Sequence, residues 1–189
     1  GGILDGIADT EEKRKRYLLA VQTKTRDLEN LVDQLSSYNR MENHLLRYQK
    51  EMTDLKEFVE KYLEENEALI REYRLEILLS AQEGIRFVMD RGAFKRILDN
   101  LLTNSIRYRE KDQSRIAITI QKKDGRIFWS VADDGPGVAE NCLEKIFESF
   151  CRLDEVRTHC SDGSGLGLAI VKRIVTDHQG VIYARDREG

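Results

Sequence analysis

A long, narrow apolar stripe near the beginning of the sequence is the feature that most limits the possible folds. Apolar residues recur mostly three or four positions apart through Leu18, Val21, Leu28, Val32 and Leu35, and the positions between them are mostly polar. This spacing follows one face of an α-helix and predicts a helix over residues 10–42, roughly 45 Å long. Since such a stripe needs a partner helix, we expect a helical hairpin or a dimer bundle, with packing onto the helix's own domain as the alternative.

The remainder of the sequence alternates between short helical and strand-like segments. The predicted helices are residues 54–73, 92–108 and 166–178. The predicted strands are a short segment before residue 54, then 75–79, 85–89, 116–120, 127–131 and 181–184. The turn Lys123-Asp124-Gly125-Arg126 between two of them is typical of a β-hairpin. This mixture predicts an α+β fold, with a helical region at 1–44 and a mixed domain at 45–189.

The charge balance and the cysteines argue against several classes of protein. Lys and Arg total 31 against 34 Asp and Glu, so nonspecific nucleic-acid binding is not expected. No apolar run approaches the roughly 18 residues of a membrane span, and no signal peptide is recognisable, so we expect a cytoplasmic protein without membrane contact. The cysteines, Cys142, Cys151 and Cys160, form no CxxC pair and indicate free thiols in a reducing compartment, with a zinc site as the alternative.

Two asparagines in the predicted helix 92–108 are the first candidates for chemistry. Asn100 and Asn104 are four residues apart and share one helical face. Amide oxygens can hold a hydrated Mg²⁺ together with phosphate oxygens, and Arg107, one turn further, could reach a phosphate. A solvated helix face is the alternative interpretation.

Two glycine-rich turns are the next candidates. In Val131-Ala132-Asp133-Asp134-Gly135-Pro136-Gly137, a carboxylate ends a strand and can accept a hydrogen bond from an exocyclic amine such as that of adenine, although a plain Asp-Gly turn is the alternative. Asp162-Gly163-Ser164-Gly165-Leu166-Gly167-Leu168 opens a helix, where free amides and the helix dipole favour phosphate. It is neither a dinucleotide fingerprint nor a Walker A loop.

These segments, in this order, resemble the sequence boxes of the sensor histidine kinases of two-component systems, whose ATP-binding domain belongs to the GHKL superfamily. Residues 100–108 resemble the N box, 133–137 the G1 box, 146–152 the F box and 163–168 the G2 box. The helix at 10–42 resembles the second helix of the dimerisation and phosphoacceptor hairpin. The resemblance implies a partial helical-bundle region followed by an α/β two-layer sandwich of the Bergerat type.

The resemblance also implies roles for individual residues. Asn104, assisted by Asn100, would coordinate Mg²⁺, and Arg107, which replaces the usual lysine, would contact phosphate. Asp133 would bind the adenine amine. The other implied nucleotide contacts are Tyr108, Gly135, Gly137, Gly163, Gly165, Leu166, Gly167 and Leu168.

A lid over the nucleotide is implied between the last two boxes. Phe147 and Phe150 would anchor the base of this lid, which spans residues 153–162. Arg157 would reach the terminal phosphates, with Arg152 as the alternative. The family's His-Gly-Gly appears as His178-Gln179-Gly180, so the turn retains only the second glycine.

The implied activity is transfer of the ATP γ-phosphoryl group to a histidine, for relay to an aspartate of a response regulator. None of His44, His159 and His178 lies in an acceptor setting. We therefore expect the acceptor on a helix before residue 9, no autophosphorylation by this chain alone, and homodimerisation through the helical region. A GHKL-type ATPase and a non-catalytic ATP-gated interaction module are the alternatives.

Overall fold

The computed structural model describes residues 10–42, 47–151 and 164–186, and the chain divides into two compact units after Leu45. Several predicted features lie outside these described residues. They are the lid at 153–162 and the residues His44, Arg152, Arg157, His159, Cys160 and Gly163.

The first unit contains one long helix, α1 (Glu11–Glu42), which confirms the predicted helix. Thr10 caps its start, because the Thr10 hydroxyl accepts a hydrogen bond from the Lys13 amide at 3.3 Å. The stripe residues Leu18, Val21, Leu28 and Val32 are 60–62% exposed. The apolar face is therefore uncovered in the described part of the chain. None of the described helices has the length and apolarity of a membrane span.

Among its described residues, the second unit combines four α-helices with five strands. Its helices are α2 (Leu55–Glu65), α3 (Glu67–Glu72), α4 (Arg91–Tyr108) and α5 (Gly167–Asp177). Its strands are β1 (Lys50–Asp54), β2 (Leu75–Ala81), β3 (Arg86–Asp90), β4 (Ser114–Lys123) and β5 (Arg126–Asp133). Two short 3-10 helices, Glu140–Cys142 and Lys145–Phe147, lie between β5 and α5.

The strands form two small sheets. In the larger sheet the order is β2-β4-β5, with β2 parallel and β5 antiparallel to β4. Asp124 and Gly125 connect β4 to β5 at φ values of 52° and 76°, as a type I′ hairpin turn requires, so the predicted hairpin is confirmed. In the smaller sheet β1 pairs antiparallel with β3.

The core of the second unit lies between the larger sheet and a helical layer. The side chains of Ile116, Ile118 and Ile120 alternate along β4 and are all buried. From β5, the ring of Trp129 meets Phe58 of α2 and Phe94 of α4 at centroid distances of 6.5 and 5.9 Å. The apolar face of α5 is buried as well. The unit is thus a two-layer α/β sandwich within an α+β chain.

Two predicted elements differ from the structure. The helix predicted over 54–73 is broken at Asn66, whose side-chain amide donates to the Tyr62 carbonyl at 2.9 Å and competes with the helical pattern. The strand predicted at 181–184 is wrong, since residues 181–186 adopt no strand and Val181 is 89% exposed. A strand needs the backbone of a neighbour, and within the described residues no strand pairs with this segment.

Candidate functional site

One side of the candidate site forms where α4 meets the start of α5. The Asn100 amide nitrogen donates to the Arg96 carbonyl at 2.7 Å, which fixes the orientation of the side chain. Its oxygen then lies so close to Gly167 that a Cβ there would approach it to 2.8 Å. Gly167 therefore permits the contact between the predicted N and G2 boxes, which are brought together in space.

The N-terminus of α5 offers backbone donors at this contact. Leu166 occupies the N-cap position, and no side chain among the described residues caps the helix there. The Ser164 hydroxyl instead accepts from the Leu166 amide at 3.1 Å, ahead of the first turn. The amides of the first turn, including those of Gly167 and Leu168, have no partner within the helix, and the helix dipole adds positive potential. This end of α5 can bind an anion beside Asn100.

A second side of the site is built around Asp133 at the end of β5. One carboxylate oxygen of Asp133 accepts from the Ser105 hydroxyl at 2.9 Å, and the other accepts from the Gly135 amide at 3.0 Å. A Cβ on Gly135 would come within 2.9 Å of the second oxygen, so a side chain at this position would displace the carboxylate. The arrangement leaves an exposed carboxylate whose two oxygens are both oriented by the protein.

Ser105 contacts the candidate site and was missed by the sequence analysis. It lies next to Asn104 on α4 and is only 7% exposed. Its hydroxyl also lies 3.1 Å from the Leu101 carbonyl, one helical turn back. A polar residue on the buried face of an amphipathic helix needs a hydrogen-bond partner. A serine at such a position was therefore the sequence signal for this contact.

The neighbouring carboxylate, Asp134, has a different environment. It accepts from the Arg115 amide at 2.9 Å and pairs with Lys111 at 3.2 Å. The hydrogen bond from the Arg115 backbone, followed by that from Lys111, holds the pKa of Asp134 below its usual range. Asp134 thus ties the turn to β4, whereas Asp133 faces the candidate site.

The last turn of α4 carries the other residues of the predicted N box. Asn104 and Arg107 are half-buried, and Tyr108 is 51% exposed. The Tyr108 carbonyl lies 3.7 Å from the position that a Cβ of Gly135 would occupy. The end of α4 therefore borders the turn after β5, as the predicted arrangement requires.

Gly137 is one of the implied nucleotide contacts, but the space beside it is not open. Its φ of 75° lies in the left-handed region, and a Cβ there would come within 2.7 Å of an Asp186 carboxylate oxygen. The room beside Gly137 is therefore taken by Asp186 of the C-terminal segment.

The two predicted lid anchors are held in different ways. Phe147 is buried, while the side chain of Phe150 is 62% exposed. The Phe150 amide donates to the Gly165 carbonyl at 2.9 Å, and a Cβ on Gly165 would come within 2.9 Å of the Phe150 Cα. We call this Phe150–Gly165 pairing the backbone clasp. The described contact of Phe150 with Gly165 is therefore made through its backbone, and its role as a lid anchor stays a prediction.

The donor set beside α5 suits a magnesium ion. Asn100 and Asn104 lie four residues apart on one face of α4, and the Asn100 oxygen lies close to Gly167 at the start of α5. Among the described residues no three His, Cys, Asp or Glu side chains gather as a metal cage. Mg²⁺ held by few protein oxygens together with phosphate and water fits this set.

The fold and the two-sided site define a nucleotide-binding α/β sandwich. The sequence profile of the histidine kinase-, DNA gyrase B- and HSP90-like ATPases matches residues 89–189. This chain therefore belongs to that ATPase family.

Proteins that are similar to this chain include sensor histidine kinases. Sensor histidine kinase WalK of Bacillus subtilis (strain 168) is 26% identical over 189 residues, which are 99% of this chain and 31% of WalK. Full-length ShkA in complex with AMPPNP is similar with a TM-score of 0.77 and 27% identity, over 95% of this chain and 37% of ShkA. The histidine kinase AdeS of Acinetobacter baumannii has a TM-score of 0.68 and 28% identity, over 93% of this chain and 80% of AdeS. The chain thus spans about a third of the length of WalK.

Proposed function

We propose that this chain is the ATP-binding catalytic part of a sensor histidine kinase. The observation that carries the proposal is the pairing of an oriented carboxylate, Asp133, with the uncapped N-terminus of α5 beside Asn100. The first suits the base of a nucleotide and the second suits its phosphates. Membership of the ATPase family and the names of the relatives support this assignment.

Each side of the site has a defined task in the proposal. Asp133 accepts a hydrogen bond from the adenine amine, and Gly135 leaves room for the ring. The amides at Gly165, Gly167 and Leu168 receive the phosphates, together with Arg107. Mg²⁺ would be held by Asn104 and Asn100 and would neutralise charge on the phosphates.

The proposed reaction transfers the γ-phosphoryl group to a histidine imidazole. His178 is unsuited as the acceptor, because its ring is buried and lies within hydrogen-bonding distance of the Ile174 carbonyl and the Asp90 amide. We place the acceptor on a helix that packs against the apolar stripe of α1 and is not part of this sequence. The residues of the second unit then position ATP for attack.

The partners follow from the same proposal. The exposed stripe of α1 suits homodimerisation in a helical bundle. A response regulator would receive the phosphoryl group on an aspartate. The proposed use of ATP and of a response regulator favours action in the cytoplasm, where both are available.

The test combines nucleotide binding with phosphoryl transfer. The chain is incubated with γ-labelled ATP, Mg²⁺ and a helical hairpin that carries a candidate acceptor histidine. Acid-labile label on the hairpin supports the proposal. Release of free phosphate without labelling would indicate an ATPase instead, and binding without either product would indicate a nucleotide-gated module.

A matched pair of variants tests the base contact. Asp133→Asn should lose about 2–3 kcal/mol of ATP affinity, which is the range for a hydrogen bond to a charged group. Asp134→Asn is the control, because that carboxylate contacts Arg115 and Lys111 instead. Titration calorimetry that gives Asp133→Asn the affinity of the parent would refute the assignment of the base site.

A further inference from the structure

Asp133 is the only side chain proposed to read the base, yet its orientation depends on a neighbour. A carboxylate on an exposed turn can rotate, and each rotation changes which lone pairs face the ligand. The Gly135 amide holds one oxygen at 3.0 Å, which leaves rotation about this point open. The second oxygen is held by the Ser105 hydroxyl at 2.9 Å.

The Ser105 hydroxyl has two acceptors within reach but only one proton. Its oxygen lies 3.1 Å from the Leu101 carbonyl and 2.9 Å from the Asp133 carboxylate. Donation to the carboxylate is favoured, because hydrogen bonds to a charged acceptor are roughly twice as strong as neutral ones. Since Ser105 sits on the rigid helix α4 and is buried, the Asp133 carboxylate is fixed against a stable element.

We propose that Ser105 is a positioning and specificity residue, which holds the Asp133 carboxylate in the orientation that accepts a hydrogen bond from a purine amine. This inference rests on the proposed function, since it presumes that Asp133 meets the base. A purine with a carbonyl in place of the amine would set acceptor against acceptor and be rejected. Without the Ser105 hydroxyl, the carboxylate turns more freely and discriminates less.

The experiment measures the affinities of ATP and inosine triphosphate, the carbonyl-bearing purine, for the parent and for Ser105→Ala. ATP affinity should fall roughly 3- to 10-fold in the variant, the range expected for one hydrogen bond. The ratio of ATP affinity to inosine triphosphate affinity should fall by a similar factor. A purely structural role would weaken both nucleotides equally and leave the ratio unchanged.

Ser114→Ala is the matched control. Ser114 is likewise a buried serine, and its hydroxyl contacts the Lys111 carbonyl rather than Asp133. Its removal should leave the affinity ratio unchanged. Thermal unfolding of each variant reports whether the domain remains folded at the temperature of the binding measurement.

A double-mutant cycle separates the inference from the proposed function. In an Asp133→Asn background, Ser105→Ala should change ATP affinity by less than about twofold, because the carboxylate that it positions is absent. If Asp133→Asn weakens ATP binding but Ser105→Ala leaves both affinity and ratio at the parent's values, the Ser105 assignment is overturned. If the parent itself binds no ATP, the proposed function fails.

Discussion

The two ends of α5 differ in how completely their polar groups are used. At its start no side chain among the described residues caps the helix, and Gly167 permits a close approach by Asn100. At its end, the Ile174 carbonyl lies 2.8 Å from Nδ1 of His178, and the Asp90 amide donates to Nε2 at 3.2 Å. One helix therefore combines an end open to a ligand with an end closed by the protein.

The closed end connects three parts of the second unit. The Tyr48 hydroxyl donates to Asp177 at 2.9 Å, and its ring lies 4.8 Å from that of His178. Asp90 accepts from the Gln49 amide at 2.7 Å and caps α4 through the Ala93 amide at 2.8 Å. We call Tyr48, Asp90, Asp177 and His178 the C-terminal joint of α5. We therefore expect changes at the joint to alter mainly the stability of the domain, and changes at the open end to alter mainly its affinity for ATP.

The largest expected effect follows from breaking the joint. His178→Ala removes a ring packed against Phe94 and leaves the Asp90 amide without its acceptor. We expect a loss of roughly 2–4 kcal/mol in the free energy of unfolding, from the cavity and the orphaned donor together. Urea unfolding measures it, with Thr176→Ala, an exposed residue two positions earlier, as the control. The folded fraction should keep its ATP affinity within about twofold.

The effect of His178→Ala on the free energy of unfolding should also depend on pH. Because Nε2 accepts from Asp90, Nδ1 carries the proton of the neutral ring. Burial, foremost, lowers the pKa of His178 below its ordinary value of 6.5. Its contribution to stability is therefore complete above pH 6.5 and is lost as the pH falls toward the lower folded-state pKa. The difference in stability between parent and His178→Ala should shrink over that window; a constant difference would contradict the assignment.

An intermediate effect is expected at the open end. In Gly167→Ala the new Cβ would stand 2.8 Å from the Asn100 oxygen and displace it. ATP affinity should fall about tenfold, or roughly 1.4 kcal/mol, while the unfolding free energy changes little because alanine favours the helix. Gly92→Ala is the matched control, since Gly92 lies in the first turn of α4 with its nearest neighbour at 3.4 Å. If both variants lose the same affinity for ATP, Gly167 has no specific role in phosphate binding.

The smallest effect concerns the turn that follows the joint. Gln179 has a φ of 61°, in the left-handed region that costs a residue with a Cβ about 1 kcal/mol. Gln179→Gly should therefore raise the unfolding free energy by roughly 0.5–1 kcal/mol. Asp124→Gly, at a φ of 52°, should gain less, because aspartate tolerates this region better. If Gln179→Gly is destabilised in a denaturant titration, the turn is not strained.

The open end was largely predictable from the sequence, because its features are local. The four-residue spacing of Asn100 and Asn104 places them on one face of α4, and the glycines before α5 are typical of a phosphate-binding helix start. The contact between Asn100 and Gly167 required the packing of α4 against α5. Whether these residues bind nucleotide remains a prediction.

The closed end was not predictable, because its contacts join distant positions. Tyr48 and Asp177 are separated by 129 residues, and neither belongs to a recognisable motif. Ser105 and Asp133 are 28 residues apart and meet only when α4 packs beside the end of β5. The strand predicted at 181–184 is wrong for a related reason, since a short apolar run indicates a strand without supplying the neighbouring strand.

The backbone clasp between Phe150 and Gly165 makes the domain insensitive to the number of residues between its two ends. Its hydrogen bond holds residues 150 and 165 beside each other. The entropy cost of joining two fixed points by a chain segment grows only logarithmically with the segment's length, so doubling that length costs about 0.6 kcal/mol. Evolution can therefore lengthen or shorten this stretch of sequence, and change its chemistry, while the helices and strands on either side keep their positions.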